Sequence, residues 1–245
     1  MVDDDGDDAL GYVVAQASLT PRYIIYMTLS GVLAGVALLS NSVPILVGSM
    51  IMAPVLPPVA LIAFGVVHRR ASLALRGGGV AVLGLGVAAV AAIVVGLLMQ
   101  VTEVIPPGTE LLAKPLLEER VRPGWWSLAA ALAAGVAGVV ALTEKKTDTL
   151  IGSVAALALV PAGAAAGIAA LAGDMDRTLG GLLLLGMNLA IIVAMGIIVL
   201  AIVRRDAAPL PLAIAIVLVV AVAVLIAIAN ATGVTPGQPP GIPVS

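Results

Sequence analysis

Pro54, Pro57 and Pro58 fall near the middle of an uncharged apolar run, Asn41 to Val67, and Pro161 falls near the middle of another. Proline has no N–H, and its ring clashes with the carbonyl four residues back, so a helix kinks or breaks there. In hydrocarbon the freed backbone groups need partners, because each orphan costs several kcal/mol. The chemistry on offer is therefore coordination by main-chain dipoles, with carbonyl ends favouring cations and half-helix N-termini favouring anions. Side chains that can join are Asn41, Ser42, Ser49, Ser153 and Asn188, together with Thr28 and Ser30. The candidate site for a small solute or ion is Asn41, Ser42, Ser49, Pro54, Pro57, Ser153, Pro161 and Asn188. Asn188, alone in LLLLGMNLAIIV, also reads as an interhelical hydrogen bond that serves packing.

Other chemistries find little support. The sequence has no cysteine and one histidine, His68, which leaves neither a thiolate nor a multi-histidine metal site within one chain. No Asp or Glu falls inside a predicted span, against a proton relay of the intramembrane-carboxylate kind. Ser42 and Ser49 would be nucleophiles without a visible base. Met50, Met52 and Met187 read as packing residues. Neither an enzyme nor a bound cofactor is expected.

The elements that must carry these residues follow from composition. The 245 residues are 61% hydrophobic and 11% charged, against a usual charged share of about 25%. Most of the surface does not face water, and a bilayer core of about 30 Å needs about 20 apolar helical residues. The uncharged windows predict seven helices, at 23–40, 43–67, 73–99, 125–142, 149–172, 178–203 and 209–230, with the second and fifth broken at their prolines. A re-entrant 43–67 is the alternative. Residues 1–22, with Asp3, Asp4, Asp5, Asp7 and Asp8, predict an acidic disordered tail and linker. Residues 101–124 form an external connection in which Leu111, Leu112, Leu116 and Leu117 predict a short interfacial helix. Residues 204–230 carry the seventh helix, and 231–245 a Pro/Gly-rich tail. Asp174 and Asp176 fit a solvated turn with an N-terminal cap. Lys and Arg, eight on one side and four on the other, put the N-terminus in the cytoplasm and the C-terminus outside.

An offset of 104 residues lays Gly31 on Gly135, Leu38 on Leu142, Gly48 and Ser49 on Gly152 and Ser153, Pro57 on Pro161 and Gly77 on Gly181. Residues 23–100 and 125–203 then form two copies of three helices each. An odd number of spans turns the second copy upside down, the inverted-repeat plan of many secondary transporters.

At NSVPILVGSMIMAPVLPPV the sequence resembles the DUF389 family of uncharacterised prokaryotic membrane proteins. Asn41 and Ser42 match its Asn-Ser pair, Gly48 and Met50 its glycine and methionine, and Pro54 and Pro57 its prolines, with Ser49 in place of the usual alanine. TLIGSVAALALVPAGAAAG is similar to the second family segment through Gly152 and Pro161, followed by Asp174 and Asn188. The likeness covers about residues 22 to 203. It implies a membrane fold without an established activity. Many members also carry a soluble domain that this sequence lacks, which implies a separate soluble partner. Two functional readings follow. One is a transporter or permeation pathway with a midplane site at two broken helices. The other is a structural or signalling membrane module that forms a homo-oligomer. Membrane lipids are expected partners in either case, and nucleic acid is not.

Overall fold

The computed structural model describes residues 2–104, 112, 114–122, 125–143, 149–204 and 209–231. These residues form an all-α protein: α1 (Val2–Gln16), α2 (Pro21–Ser40), α3 (Val43–Met52), α4 (Leu56–Val67), α5 (Ala71–Val101), α6 (Pro115–Arg120), α7 (Trp125–Thr143), α8 (Thr149–Leu171), α9 (Met175–Arg204) and α10 (Pro209–Ala231). Of the residues expected in an interfacial helix, Leu116 and Leu117 lie in α6 and Leu112 in a turn before it, while Leu111 and residues 232–245 of the Pro/Gly-rich tail lie outside the described residues. The acidic N-terminal segment corrects the expectation of disorder. It is helical, because Ala9, Leu10, Val13 and Ala17 make a buried stripe and α1 packs against α4.

Among the described residues three helices are long and apolar enough to cross a membrane: Pro21–Ser40, Ala71–Val101 and Met175–Val203. The pair α3 and α4 passes the same test together, bent by 53° at its break. Ser127–Thr143, Ala158–Leu171 and Pro209–Val224 are shorter apolar helices.

The bend has a local cause. Ala53 is extended, with ψ 113, as the residue before a proline prefers, and Pro54 supplies no N–H to continue α3. Pro57 and Pro58 fall in the first turn of α4, where a missing N–H leaves nothing unpaired. Helix α8, by contrast, runs unbroken through Pro161, which corrects the expectation of a second break. At the 104-residue offset Pro161 matches Pro57, whereas Pro54 falls on Ala158. The proline that breaks the first copy has no counterpart in the second.

Glycine contacts set the directions of the helices. Gly31 lies against the Ala88 backbone and Gly35 against that of Ala92, so α2 and α5 run parallel. The bent pair must therefore carry the chain from one end of the bundle to the other between them. Gly167 meets Ala89 and Ile93, and Leu171 meets Gly96, so α5 and α8 are also parallel. Gly181 against Ala166 marks α8 and α9 as an antiparallel hairpin.

The same offset recurs in these contacts. Gly31 on Ala88 is matched by Gly135 on Ile192, Gly77 on Ile62 by Gly181 on Ala166, and Gly35 on Ala92 by Val139 on Gly196. The turns agree bond for bond. Arg70 N donates to Gly65 O at 2.8 Å and Asp174 N to Ala169 O at 3.1 Å, while His68 N donates to Phe64 O at 2.9 Å and Ala172 N to Ile168 O at 3.0 Å. The left-handed residue is Arg69 in one turn and Gly173 in the other.

A methyl group at Gly31 would strike the Ala88 carbonyl, and one at Gly135 would lie 2.9 Å from Ile192 O, whereas Gly78 has open space. Gly31→Ala and Gly135→Ala should each lower stability by about 1–3 kcal/mol. Gly78→Ala should leave it unchanged or raise it by up to about 1 kcal/mol. Thermal unfolding in lipid nanodiscs checks the contrast.

Candidate functional site

In an unbroken α3 the Ser49 carbonyl would accept the N–H of residue 53. Ala53 N turns instead to Met50 O at 3.4 Å, which frees Ser49 O inside the bundle. Ser30 of α2 closes it, donating its hydroxyl at 2.7 Å, and the Ser30 and Ser49 side chains are fully buried. The Ser49 hydroxyl donates to Leu46 O, one turn back on its own helix, at 2.7 Å. Ser49, Pro54 and Pro57 are thus grouped at the break, where α3 packs on α8.

The second copy handles its proline differently. Pro161 has no N–H for the carbonyl of residue 157, and its ring crowds that turn. Asn188 of α9 reaches the adjacent carbonyl, donating Nδ2 to Ala158 O at 2.9 Å. Its amide also pairs with Ser127, Nδ2 to Oγ at 3.1 Å and Oγ to Oδ1 at 3.3 Å. At the common offset Ser127 and Asn188 stand where the first copy has Tyr23 and Gly84. There the Tyr23 hydroxyl donates to Val80 O at 3.1 Å, and its ring occupies the space that a Gly84 side chain would need.

Two other candidates lie elsewhere. Asn41 ends α2 in the left-handed region at φ 55, and its Oδ1 accepts the Leu116 N–H at 3.1 Å. Ser42 is the N-cap residue of α3 without a side-chain cap bond. Both belong to the helix ends, which removes them from a midplane cage. The side chain of Ser153 lies outside the described residues. The expected cage of two facing breaks therefore reduces to one break, with Asn188 closing a proline turn on α8. Residue type alone does not single out Tyr23 or Ser127. Their signal is the offset itself, which sets each against a partner of complementary size. Among the described residues no three His, Cys, Asp or Glu side chains gather as metal ligands.

The end of the bundle near Asn41 is clasped by α6. Leu117 is fully buried, and Glu118 pairs with Arg122 and with Arg177 at 3.0 Å. Arg177 also bonds Asp174 at 2.9 Å. Asp174 caps α9, accepting the Arg177 N–H at 3.0 Å. That backbone bond first, and the Arg177 side chain second, hold the Asp174 carboxyl below its ordinary value of 3.8.

Residues 50–194, more than half of the chain, match the family described as "Domain of unknown function (DUF389)". Over 173 residues the chain is 24% identical to the "Uncharacterized protein MJ0678" of Methanocaldococcus jannaschii, a match covering 71% of this chain and 51% of the relative. The chain thus spans about half the length of the curated relative it matches. No solved structure matches.

Ser30→Ala leaves Ser49 O without its hydroxyl donor, and Asn188→Leu removes the amide that bonds Ala158 O and Ser127. Each should cost about 1–3 kcal/mol, read as a lowered midpoint of unfolding in lipid. The clasp makes a separate prediction about pH. A carboxyl with a lowered folded pKa contributes fully above its ordinary value, and the contribution is lost as pH falls through the folded one. Acidification below about pH 4 should therefore loosen α6, read as faster proteolysis of the 101–124 connection. Asp174→Asn should shrink that acid step.

Proposed function

The chain belongs to the DUF389 family of uncharacterised hydrophobic proteins, and from that premise we propose that it is a transporter-like membrane protein with its solute or ion site at the Ala53–Val55 break. Its plainest property is that of a multi-span helical membrane protein with one bent helix pair beside a packed core. The proposal adds two inverted copies of three helices, with α10 as the extra C-terminal helix. Support comes from the contacts repeated at 104 residues and from helix direction: α5 is parallel to α8 and α8 antiparallel to α9, so the third helices of the two copies oppose each other. In the proposed topology the N-terminus is cytoplasmic and the C-terminus outside, a direction that the excess of Lys and Arg on one side supports. No catalytic step is part of the proposal.

The observation that carries the site is the bend of 53°, at which Ala53 turns extended among buried neighbours. Ala53 and Val55 are buried, so the carbonyls of the last α3 turn end in a low-dielectric setting, while at the start of α4 Pro57 and Pro58 offer no N–H. Such half-helix ends bind ions and small charged solutes in transporters whose helices are discontinuous.

A specific observation favours the competing reading of a structural or signalling module. Ser30 takes up Ser49 O at the break, so part of the freed backbone already has a protein partner, and Asn188 bonds Ala158 O next to the turn that Pro161 crowds. The absence of cysteine permits a direct test. In a single-cysteine Ala53→Cys variant, a water-borne path predicts labelling by a membrane-impermeant thiol reagent from at least one face of sealed vesicles. Protection from both faces, alongside normal labelling of a cysteine at exposed Ser40, would leave the break as a packing kink.

A further inference from the structure

Between α2 and α5, on the side away from α8, lies a cleft of about 700 Å³ walled by Thr28 and Val32 on one helix and Leu83, Gly86, Val90 and Val94 on the other. The lining runs from residue 82 to residue 94 of α5, about 18 Å at 1.5 Å per residue. Its one hydroxyl is already occupied, since Thr28 Oγ1 donates to Ile24 O at 2.8 Å. The floor is open because Gly86 has no side chain and nothing within reach of one.

The counterpart face in the second copy identifies what differs. Leu83, Val90 and Leu97 are exposed, whereas Met187, Ala194 and Ala201, at the same positions of α9, are buried, and α10 packs on that helix. At the foot of the stripe the two faces diverge in charge. Arg76 stands seven residues before Leu83, on the same side of α5, where α9 has Gly180 packed against Val121 O. Helices α2 and α5 run parallel with Gly31 level with Ala88, which sets Arg22 level with Gly79. Arg22 and Arg76 therefore lie within about 5 Å of the same depth. Both are exposed, and among the described residues neither takes part in an ion pair.

We infer that this cleft binds an anionic phospholipid, one acyl chain lying along Val82–Val94 and the phosphate held at Arg76, with Arg22 at the same depth on α2. A helix seated there as α10 is on α9 would bring apolar surface over an arginine. A lipid puts the phosphate at the charge and hydrocarbon in the groove, the pairing that basic residues at a membrane surface favour.

Native mass spectrometry of protein extracted from vesicles of equal parts phosphatidylglycerol and phosphatidylcholine tests the inference. The wild type should retain phosphatidylglycerol with about 30-fold preference, and Arg76→Gln should reduce this to about fivefold. Gly86→Leu should abolish retention, and Thr28→Leu, which fills the cleft from the opposite wall, gives the same readout should Gly86→Leu fail to fold. Sodium phosphate alone should not displace the lipid. Equal retention of both lipids, retention unchanged in the filled variants, or a disulfide-linked dimer of Gly86→Cys formed in the bilayer would overturn it, the last by giving the cleft to a second copy.

Discussion

A carbonyl buried away from water must find a donor, and at the Ala53–Val55 break the donor comes from another helix. Ser30 supplies it, which requires α2 to approach α3 closely enough for a bond of 2.7 Å. That approach depends in turn on where α2 lies. Gly31 and Gly35 let it settle on the backbone of α5, while Tyr23 ties its first turn to Val80 across the same seam. The break, its cap and the glycine seam are one arrangement. Without lipid-excluding packing at the glycines, the serine would not reach.

Compared at the 104-residue offset, residues 23–100 and 125–203 share their backbone contacts more closely than their side chains. Gly31 and Gly135, Gly77 and Gly181, and the two turns around Arg69 and Gly173 occupy matching places, because close helix packing in lipid relies on van der Waals contact between small residues. The polar slots have diverged. Tyr23 beside Gly84 fills in one copy what Ser127 bonded to Asn188 fills in the other. The Tyr23 hydroxyl goes to Val80 O on α5, whereas Asn188 goes to Ala158 O on α8, and α3 and α4 are divided by the break where α8 is continuous. This asymmetry suits a pair in which one half holds a rigid axis and the other presents the irregular segment.

The clasp at the far end joins these halves through the connection between them. Asn41 holds the backbone of α6 from the first copy, and Arg177 holds Glu118 from the second. Leu117 buries itself between. Exposed ion pairs of this kind add little to stability, but here two pairs and a backbone bond act on one short helix. Its position is set by both copies together.

Much of the bundle was legible along the chain, because it rests on properties that each segment carries locally. The apolar runs give span lengths, Pro54 cannot continue a helix wherever it is placed, and the glycines at a 104-residue spacing mark where helices touch. Three features depended on neighbours distant in sequence. The stripe Ala9, Leu10, Val13 and Ala17 becomes helical beside a surface on α4, which an acidic composition does not reveal. Pro161 was read as a break on proline chemistry alone, yet Ala158 keeps the N–H that Pro54 lacks, and Asn188, thirty residues on, takes up the nearby carbonyl. Asn41 and Ser42 looked like site residues by type, and the end of α2 made them caps. Steric rules act within a few residues and can be read from order alone. Whether a freed carbonyl meets a hydroxyl, an amide or a solute depends on which helix lies alongside, and that is decided only when the helices pack.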